Sequence, residues 1–502
     1  MDTIRQALQS LDLGKSVAEF DEALERYFVE TNAFRELVHD RCDIISGDKG
    51  TGKTAIYRIL EKTYAALPEL KKIEVIPAFN PSGSPIFQLL TNHEVQTEAE
   101  YNHLWKAYLS SFAGNWILRL YEGSFTPQMS TLDNVLRGLE LRTELDAPRS
   151  VFSKVLSKIG SMFNWRSAEM QFTISESGMP VLTPRVEFSG DEAAKTKTPG
   201  PVPADAIFRL LNACLVEANI TVWIAIDRLD EAFSGYPGIE IPALRALLRT
   251  YLDLTEFSNI KLKLFVRRDL FSRITAGGFV NLTHINARKL DIIWREDDLL
   301  NLLCRRIREN PQFCAALKIV GATDKEIFDV MFPEQVDFGK RKPVTWTWMM
   351  RRIRDGNDVK PPRNLLDLIL LSQRAQLKRE DIRNRMIDAR PILEPDALRE
   401  GLSDLSVMRV NDTLFAEAGE SAVAAIGKFR GGKAEHNIQS IASLFGTSVE
   451  QARADATPLV AIGFLEVIKD SYKVPSLFRE GMKITQGKAF EGGLVSGEDD
   501  DE

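Results

Sequence analysis

The sequence predicts an α/β protein: a parallel sheet flanked by helices, then a helical region, then a smaller domain of helices and a hairpin. Three observations predict it. Short apolar, β-branched runs alternate with helical patterns between residues 41 and 290. From residue 295 onward apolar residues recur at helical spacing with no strand between them. Near the C-terminus, GFLEVIKDSYKVPSLF (463–478) reads as strand, Lys-Asp turn and strand.

The first strand is RCDIIS (41–46), followed by a glycine-rich turn and the helix TAIYRILEKTYAAL (54–67), with Ile56, Ile59, Leu60 and Tyr64 on one face. KKIEVIPAF (71–79) is a second strand, after which Pro81, Gly83 and Pro85 break the chain. EYNHLWKAYLSSFAGNWILRLY (100–121) is a long helix. Residues 122–203 form an insertion, with a short helix at 152–163, a hairpin around a Ser-Gly turn at 170–190 and a linker at 191–203. Order resumes with the helix ADAIFRLLNACLVEA (204–218) and the run Ile220–Ile226, so uniformly apolar that it suits a strand covered on both faces. The helix 241–254 and the strand IKLKLFV (260–266) follow. Strands alternating with helices imply a doubly wound parallel sheet.

The expected boundaries are an N-terminal helical segment (1–40), an α/β domain (41–290), a helical lid (291–390), a winged-helix-like domain (391–490) and an acidic tail (491–502) ending GEDDDE. Two helical patterns are expected within residues 1–40, one of them VAEFDEALERYF.

Composition excludes several classes. With 502 residues, 44% hydrophobic, and no run of about 18 apolar residues, the chain carries no membrane span. Its opening lacks the basic start and apolar core of a secretion signal. Cys42, Cys214, Cys304 and Cys314 are scattered and the five histidines stand in no ligand spacing, which argues against a zinc ribbon or disulfide framework and fits a reducing cytoplasm. A net charge of −7 does not favour nucleic acid globally, and leaves only a local patch.

Chemistry concentrates in ISGDKGTGKTAIYRIL (45–60). The spacing Gly47-Asp48-Lys49-Gly50-Thr51-Gly52-Lys53-Thr54-Ala55 is the phosphate-binding loop of the P-loop NTPases. Glycines let successive N–H groups approach a phosphate chain as an anion nest, and the following helix adds its positive dipole end. Lys53 is expected on the β- and γ-phosphates and the Thr54 hydroxyl on Mg²⁺. The alternative is a glycine turn with a coincidental Gly-Lys-Thr, but the loop sits between a buried strand and a helix, as a working site requires. IAIDRLDEAF (224–233) supplies the carboxylates. Asp227 is the expected metal-side acid, and Asp230 or Glu231 the group that orients and deprotonates water. The distance along the chain leaves room for a strand between the two motifs. Nothing matches the Asn-Lys-x-Asp guanine reader, so ATP is favoured over GTP.

Asp-Arg-Leu-Asp-Glu (227–231) resembles the Asp-Gly-Leu-Asp-Glu element of NACHT-type STAND ATPases, with Arg228 in place of glycine. With FVETNAF (28–34), FVRRDLF (265–271), PPRNLL (361–366) and YKVPSLF (472–478), the chain resembles bacterial AAA+/STAND-like ATPases over most of its length, the insertion excepted. The resemblance implies that Arg267, with Arg268 as runner-up, senses the terminal phosphate. It also implies that Arg363 is a second sensor on the lid, and that Glu30 and Thr31 lie near an adenine pocket. It further implies a slow ATPase acting as a nucleotide-driven switch or scaffold, assembling as a homo-oligomer with a separate effector, in the manner of anti-phage defence. The alternative is a DNA-acting ATPase using its winged helix. GKRKPVTWTWMMRRIRDG (339–356), with Trp346 and Trp348, reads either as a single-strand nucleic-acid surface or as a buried edge of the lid.

Overall fold

The computed structural model describes residues 2–79, 97–139, 141–142, 173–174, 180–181, 204–232, 237–416 and 420–490. The expected short helix at 152–163, the linker at 191–203 and the acidic tail lie outside them, as does the break at Pro81, Gly83 and Pro85. Of the expected hairpin at 170–190, the strands β3 (Thr173–Ile174) and β4 (Pro180–Val181) pair antiparallel. The chain forms two compact units, one of Asn32–Gly47 with Lys53–Asp291, the other of Met1–Thr31, Asp48–Gly52 and Ile292–Glu502.

The first unit is built on a five-stranded sheet in the order β2-β5-β6-β1-β7. Its strands are β1 (Ile44–Gly47), β2 (Ile73–Phe79), β5 (Thr221–Ile226), β6 (Ile260–Arg267) and β7 (Lys289–Asp291). All neighbours are parallel, so every connection is a crossover, and helices take that role. The central strands are buried on both faces: Val222 to Ile226 are at most 1% exposed. The helix Glu98–Leu120 starts at a Thr97/Glu100 capping box and buries Tyr101, Trp105, Tyr108 and Phe112. β6 lies between β1 and β5, the intervening strand that the spacing of the two motifs allows for. The phosphate-loop strand therefore does not touch the acidic strand directly. This is the parallel sheet flanked by helices that the sequence predicts.

At the N-terminal edge of that sheet lies a charged network absent from the sequence reading. Lys261 and Lys263 alternate onto one face of β6. The fully buried Lys263 donates to Asp40 (2.7 Å), Asp43 (2.7 Å) and the Cys42 carbonyl (2.8 Å). Its ammonium also stands 4.1 Å over the Trp223 ring. Arg288 donates to Asp43 through Nε (2.8 Å) and Nη2 (2.9 Å), and Tyr251 donates its hydroxyl to the same carboxylate (3.0 Å).

In the second unit, helices Glu296–Arg308, Thr345–Ile353, Pro362–Arg383 and Pro395–Arg409 share one core with Ile4, Ala7 and Leu8 of the N-terminal helix Ile4–Ser10. The continuous helix expected for VAEFDEALERYF is not formed; only Ala18–Phe20 and Leu24–Tyr27 turn helically. Asp21 explains the break. It is buried, pairs with the Arg306 guanidinium (3.0 Å) and accepts the Tyr27 hydroxyl, so its side chain points inward where a surface helix would need it outside.

The C-terminal part is a winged helix. Strand β8 (Lys433–Asn437) leads into helices Ile438–Phe445 and Val449–Ala461. The hairpin β9 (Glu466–Ile468) and β10 (Ser471–Lys473) follows, then the helix Ser476–Met482 and β11 (Thr485–Lys488). The sheet runs β11-β8-β10-β9. The hairpin turns at the expected Lys-Asp pair, with Lys469 left-handed at φ 52°.

Candidate functional site

The parallel sheet ends three strands at one edge. In β1 the last residue, Gly47, is in register with Arg267, the last residue of β6. β5 ends beside β6 and hands its chain to Asp227. The helix Lys53–Thr63 begins immediately past the glycine loop. Lys53 donates its ammonium to the Gly47 carbonyl at 2.8 Å. Asp227, 3% exposed, accepts hydrogen bonds from the Thr54 hydroxyl and the Arg228 backbone N–H. Burial pushes its carboxyl up to about 6, against the opposing pull of those bonds and of the Lys53 and Arg228 charges. Lys53, Thr54 and Asp227 therefore come together.

Arg267 is held by Asp269, which accepts from Nε and Nη2 at 3.0 Å each. The same guanidinium stands 3.5 Å from Asp230. Burial works against the Asp269 carboxylate, and the Arg267 hydrogen bonds and charge outweigh it, so it stays below the usual carboxylate range. Asp269 is not singled out by the sequence, although a carboxylate two residues past Arg267 is a visible partner for it. Arg268 instead directs its charge at Asp291, at the end of β7.

Glu231 is half exposed and accepts from Arg228 at 3.3 Å. Arg228 itself is left-handed, φ 59°, a conformation that costs a side-chain-bearing residue about 1–2 kcal/mol and glycine nothing. The departure from the Asp-Gly-Leu-Asp-Glu pattern is thus one of side chain, and the backbone keeps the glycine geometry.

Within the second unit the loop residues Asp48–Gly52 have their own surroundings. Gly50 (φ 77°) and Gly52 (φ 99°) are left-handed. Thr51 caps the turn by donating its hydroxyl to the Asp48 carbonyl (2.8 Å), while its own carbonyl accepts the Trp294 indole N–H (2.8 Å). A methyl group on Gly50 would stand 3.1 Å from Arg363 Cβ and 3.4 Å from Pro361 Cβ. Gly50→Ala is therefore expected to lower unfolding stability by about 1–2 kcal/mol, read as a lower urea midpoint at unchanged m-value.

Arg363 makes no hydrogen bond or ion pair among the described residues, and its Nε is buried. Burial first, then the nearby Arg409 charge, pulls its pKa down. The Glu19 and Asp367 carboxylates pull the other way and are outweighed. Glu30 is exposed and Thr31 buried.

Asp355, also in this unit, accepts the backbone N–H groups of Asn357 (2.9 Å) and Val359 (3.0 Å). Burial raises its carboxyl to about 6, and the Asp48 charge adds to the rise. Arg354 next to it grips Glu466 of β9 through two hydrogen bonds (2.9 and 3.2 Å), and the Gly356 N–H reaches the Gly463 carbonyl (2.7 Å). Residues 354–363 thus touch the loop at one end and the winged helix at the other.

The two tryptophans of 339–356 are structural. Trp348 is 1% exposed and donates to Asp337, and Trp346 packs edge-on to Phe328. Trp348 thus offers single strands no stacking face, while Trp346 keeps a partly exposed one. On the helix Val449–Ala461 the exposed residues are Glu450, Gln451, Arg453, Ala454, Thr457, Pro458 and Ala461, with one cation and one anion among them.

No family model and no curated protein matches the chain. Among solved structures it is similar to the Aeropyrum pernix ORC1 protein in complex with DNA, at 12% identity and a TM-score of 0.35, over 93% of this chain and 96% of that one. It is also similar to the Walker-type ATPase PABY2304 of Pyrococcus abyssi, at 12% identity and a TM-score of 0.39, over 95% and 100%. The Aeropyrum pernix ORC2 protein in its ADPNP–ADP complexes gives 12% and 0.33, over 92% of each chain. Similarity at this level assigns no activity. No helix among the described residues is long and apolar enough to cross a membrane.

Proposed function

We propose that the chain is an AAA+/STAND-like ATPase that binds ATP with Mg²⁺ at the loop Gly47–Ala55, hydrolyses it slowly and uses the nucleotide state as a switch. One observation carries the reading: the Thr54 hydroxyl bonded to the buried Asp227 carboxylate, next to Lys53, at the sheet edge where Arg267 also ends. A hydroxyl and one carboxylate are hard oxygen donors, and no cluster of three ligating His, Cys, Asp or Glu side chains occurs among the described residues. That set suits an ion that keeps its water and shares phosphate oxygens, as Mg²⁺ does. When bound, the ion neutralises charge on the phosphates.

The chain's own residues do the rest. Backbone N–H groups of the loop and Lys53 bind and orient the phosphates. Arg267, steadied by Asp269, meets charge developing on the terminal phosphoryl oxygens. Glu231 or Asp230 takes the proton from the attacking water. Each is held by an arginine in this structure, so either must be released to act.

The switch reading is supported by the stretch 354–363, which gives the loop's surroundings a covalent and hydrogen-bonded route to the winged helix. Arg354→Ala is expected to change basal turnover by about threefold while leaving ATP affinity as it was, with faster amide exchange over 463–478. The winged helix then acts internally, and a separate effector receives the output. The deciding experiment is phosphate release by wild type and Glu231→Gln, with mass measured with and without ATP. Turnover lost in Glu231→Gln and ATP-dependent assembly support the switch. Salt-dependent, ATP-stimulated DNA binding without assembly would replace it with a DNA-acting ATPase.

A further inference from the structure

The sheet edge opposite the phosphate loop carries a second cavity, of about 420 Å³, entirely within the first unit. Ligand pockets begin at about 300 Å³. Its body is apolar, formed by Leu254, Phe257, Ile260 and Leu262, and its polar wall is Arg288, Lys261, Tyr251 and Asp43.

The hydrogen bonds of that wall are unequally used. Asp43 already accepts four, from Lys263, Tyr251 and two Arg288 nitrogens. Asp40 accepts from Lys263, Lys261 and Arg288. Lys263 spends its three donors on Asp40, Asp43 and Cys42. What remains is cationic: the Arg288 bonds to Asp40 and Asp43 leave from Nε and Nη2, and Lys261 Nζ is held by Asp40. Both side chains are about one-third exposed and line the cavity. The network holds three cations against two carboxylates, so the surplus charge is positive and stands where the cavity begins.

We propose that this cavity binds a small amphipathic anion, a short apolar body with a carboxylate or phosphate head. The head accepts from Arg288 and Lys261, and the body lies on Leu252 and Phe257, the partly exposed large apolar side chains of the lining. The site is separate from the proposed nucleotide site and does not depend on it. It stands at the start of β1 and β6, whereas the phosphate loop follows the end of β1.

The test is calorimetric titration of the full chain with octanoate, octyl phosphate and octylamine. Saturable binding of at least one anion is expected with a Kd on the order of 1 mM or tighter, with octylamine weaker by about tenfold or more. The stronger of the two anions identifies the head group. Thr255→Trp, at the exposed rim of the cavity, is expected to abolish binding at unchanged melting temperature. Lys261→Met is expected to weaken the anions by about fivefold and leave octylamine unaffected, and it decides the matter should Thr255→Trp prove unstable. Equal binding of octanoate and octylamine, no saturation by either anion up to about 10 mM, or full affinity in a stably folded Thr255→Trp would overturn the proposal.

Discussion

Lys53→Ala is expected to bind ATP about 100-fold more weakly than wild type, a loss of about 3 kcal/mol. The ammonium is the one flexible cation at the start of the loop helix, and in this structure it rests on the Gly47 carbonyl at 2.8 Å. A phosphate oxygen would outcompete that carbonyl because a hydrogen bond between two charged partners is stronger than one to a neutral acceptor. The fold should not suffer, since the side chain is partly exposed and a carbonyl at a loop end can turn to water. Fluorescent-nucleotide titration measures the effect, and the urea midpoint controls for folding. Glu231→Gln and Asp230→Asn make the contrast, with affinity kept in both and phosphate release lost in the one that removes the base. Should Lys53→Ala hold ATP as tightly as wild type, the nucleotide lies elsewhere and the switch falls with it.

Lys263→Met should be the most damaging substitution outside that site, costing about 3–5 kcal/mol. Methionine fills the space but leaves Asp40 and Asp43 sharing Arg288 and Lys261. Asp43 also predicts the acid limb. Burial alone would raise its carboxyl, but the Arg288 hydrogen bonds and the Lys263 charge reverse that and hold it at about 2. Folding thus weakens its hold on a proton. Its contribution, on the order of 2 kcal/mol, is complete above the ordinary value of 3.8 and disappears as pH falls toward 2. In Lys263→Met the folded-state carboxyl moves back up toward 3.8, so the decline still starts near 3.8 but is shallower and ends at higher pH. Urea unfolding of both proteins between neutral pH and pH 3 would show it, and parallel curves would refute the assignment.

Legibility in the sequence followed the chemistry. Phosphate contact needs glycine, lysine and a hydroxyl at fixed spacing, so the loop could be read from letters alone. Asp227 could be read because an apolar run must end where its first carboxylate stands. Strand β6 was legible as IKLKLFV, but its place between β1 and β5 only as spacing. The network of Asp40, Asp43, Lys261, Lys263 and Arg288 was not legible, because IKLKLFV reads simply as a strand and its partners lie some 220 residues earlier. Only the adjacency of β1 and β6 brings them together. Asp21 broke an amphipathic pattern for a similar reason, since its partner Arg306 lies far along the chain. Trp346 and Trp348 show that a stretch rich in arginine and aromatics describes a packed helix as well as it describes a binding surface.

Arg228 has a consequence for how such turns are detected. A scan that demands glycine at this place passes over the chain, although the torsion angle there is the one glycine adopts freely. Arginine and glycine codons differ by a single base, so lineages can trade one for the other without rebuilding the turn. A signature spelled in backbone angles would keep both kinds, where one spelled in letters discards half of them.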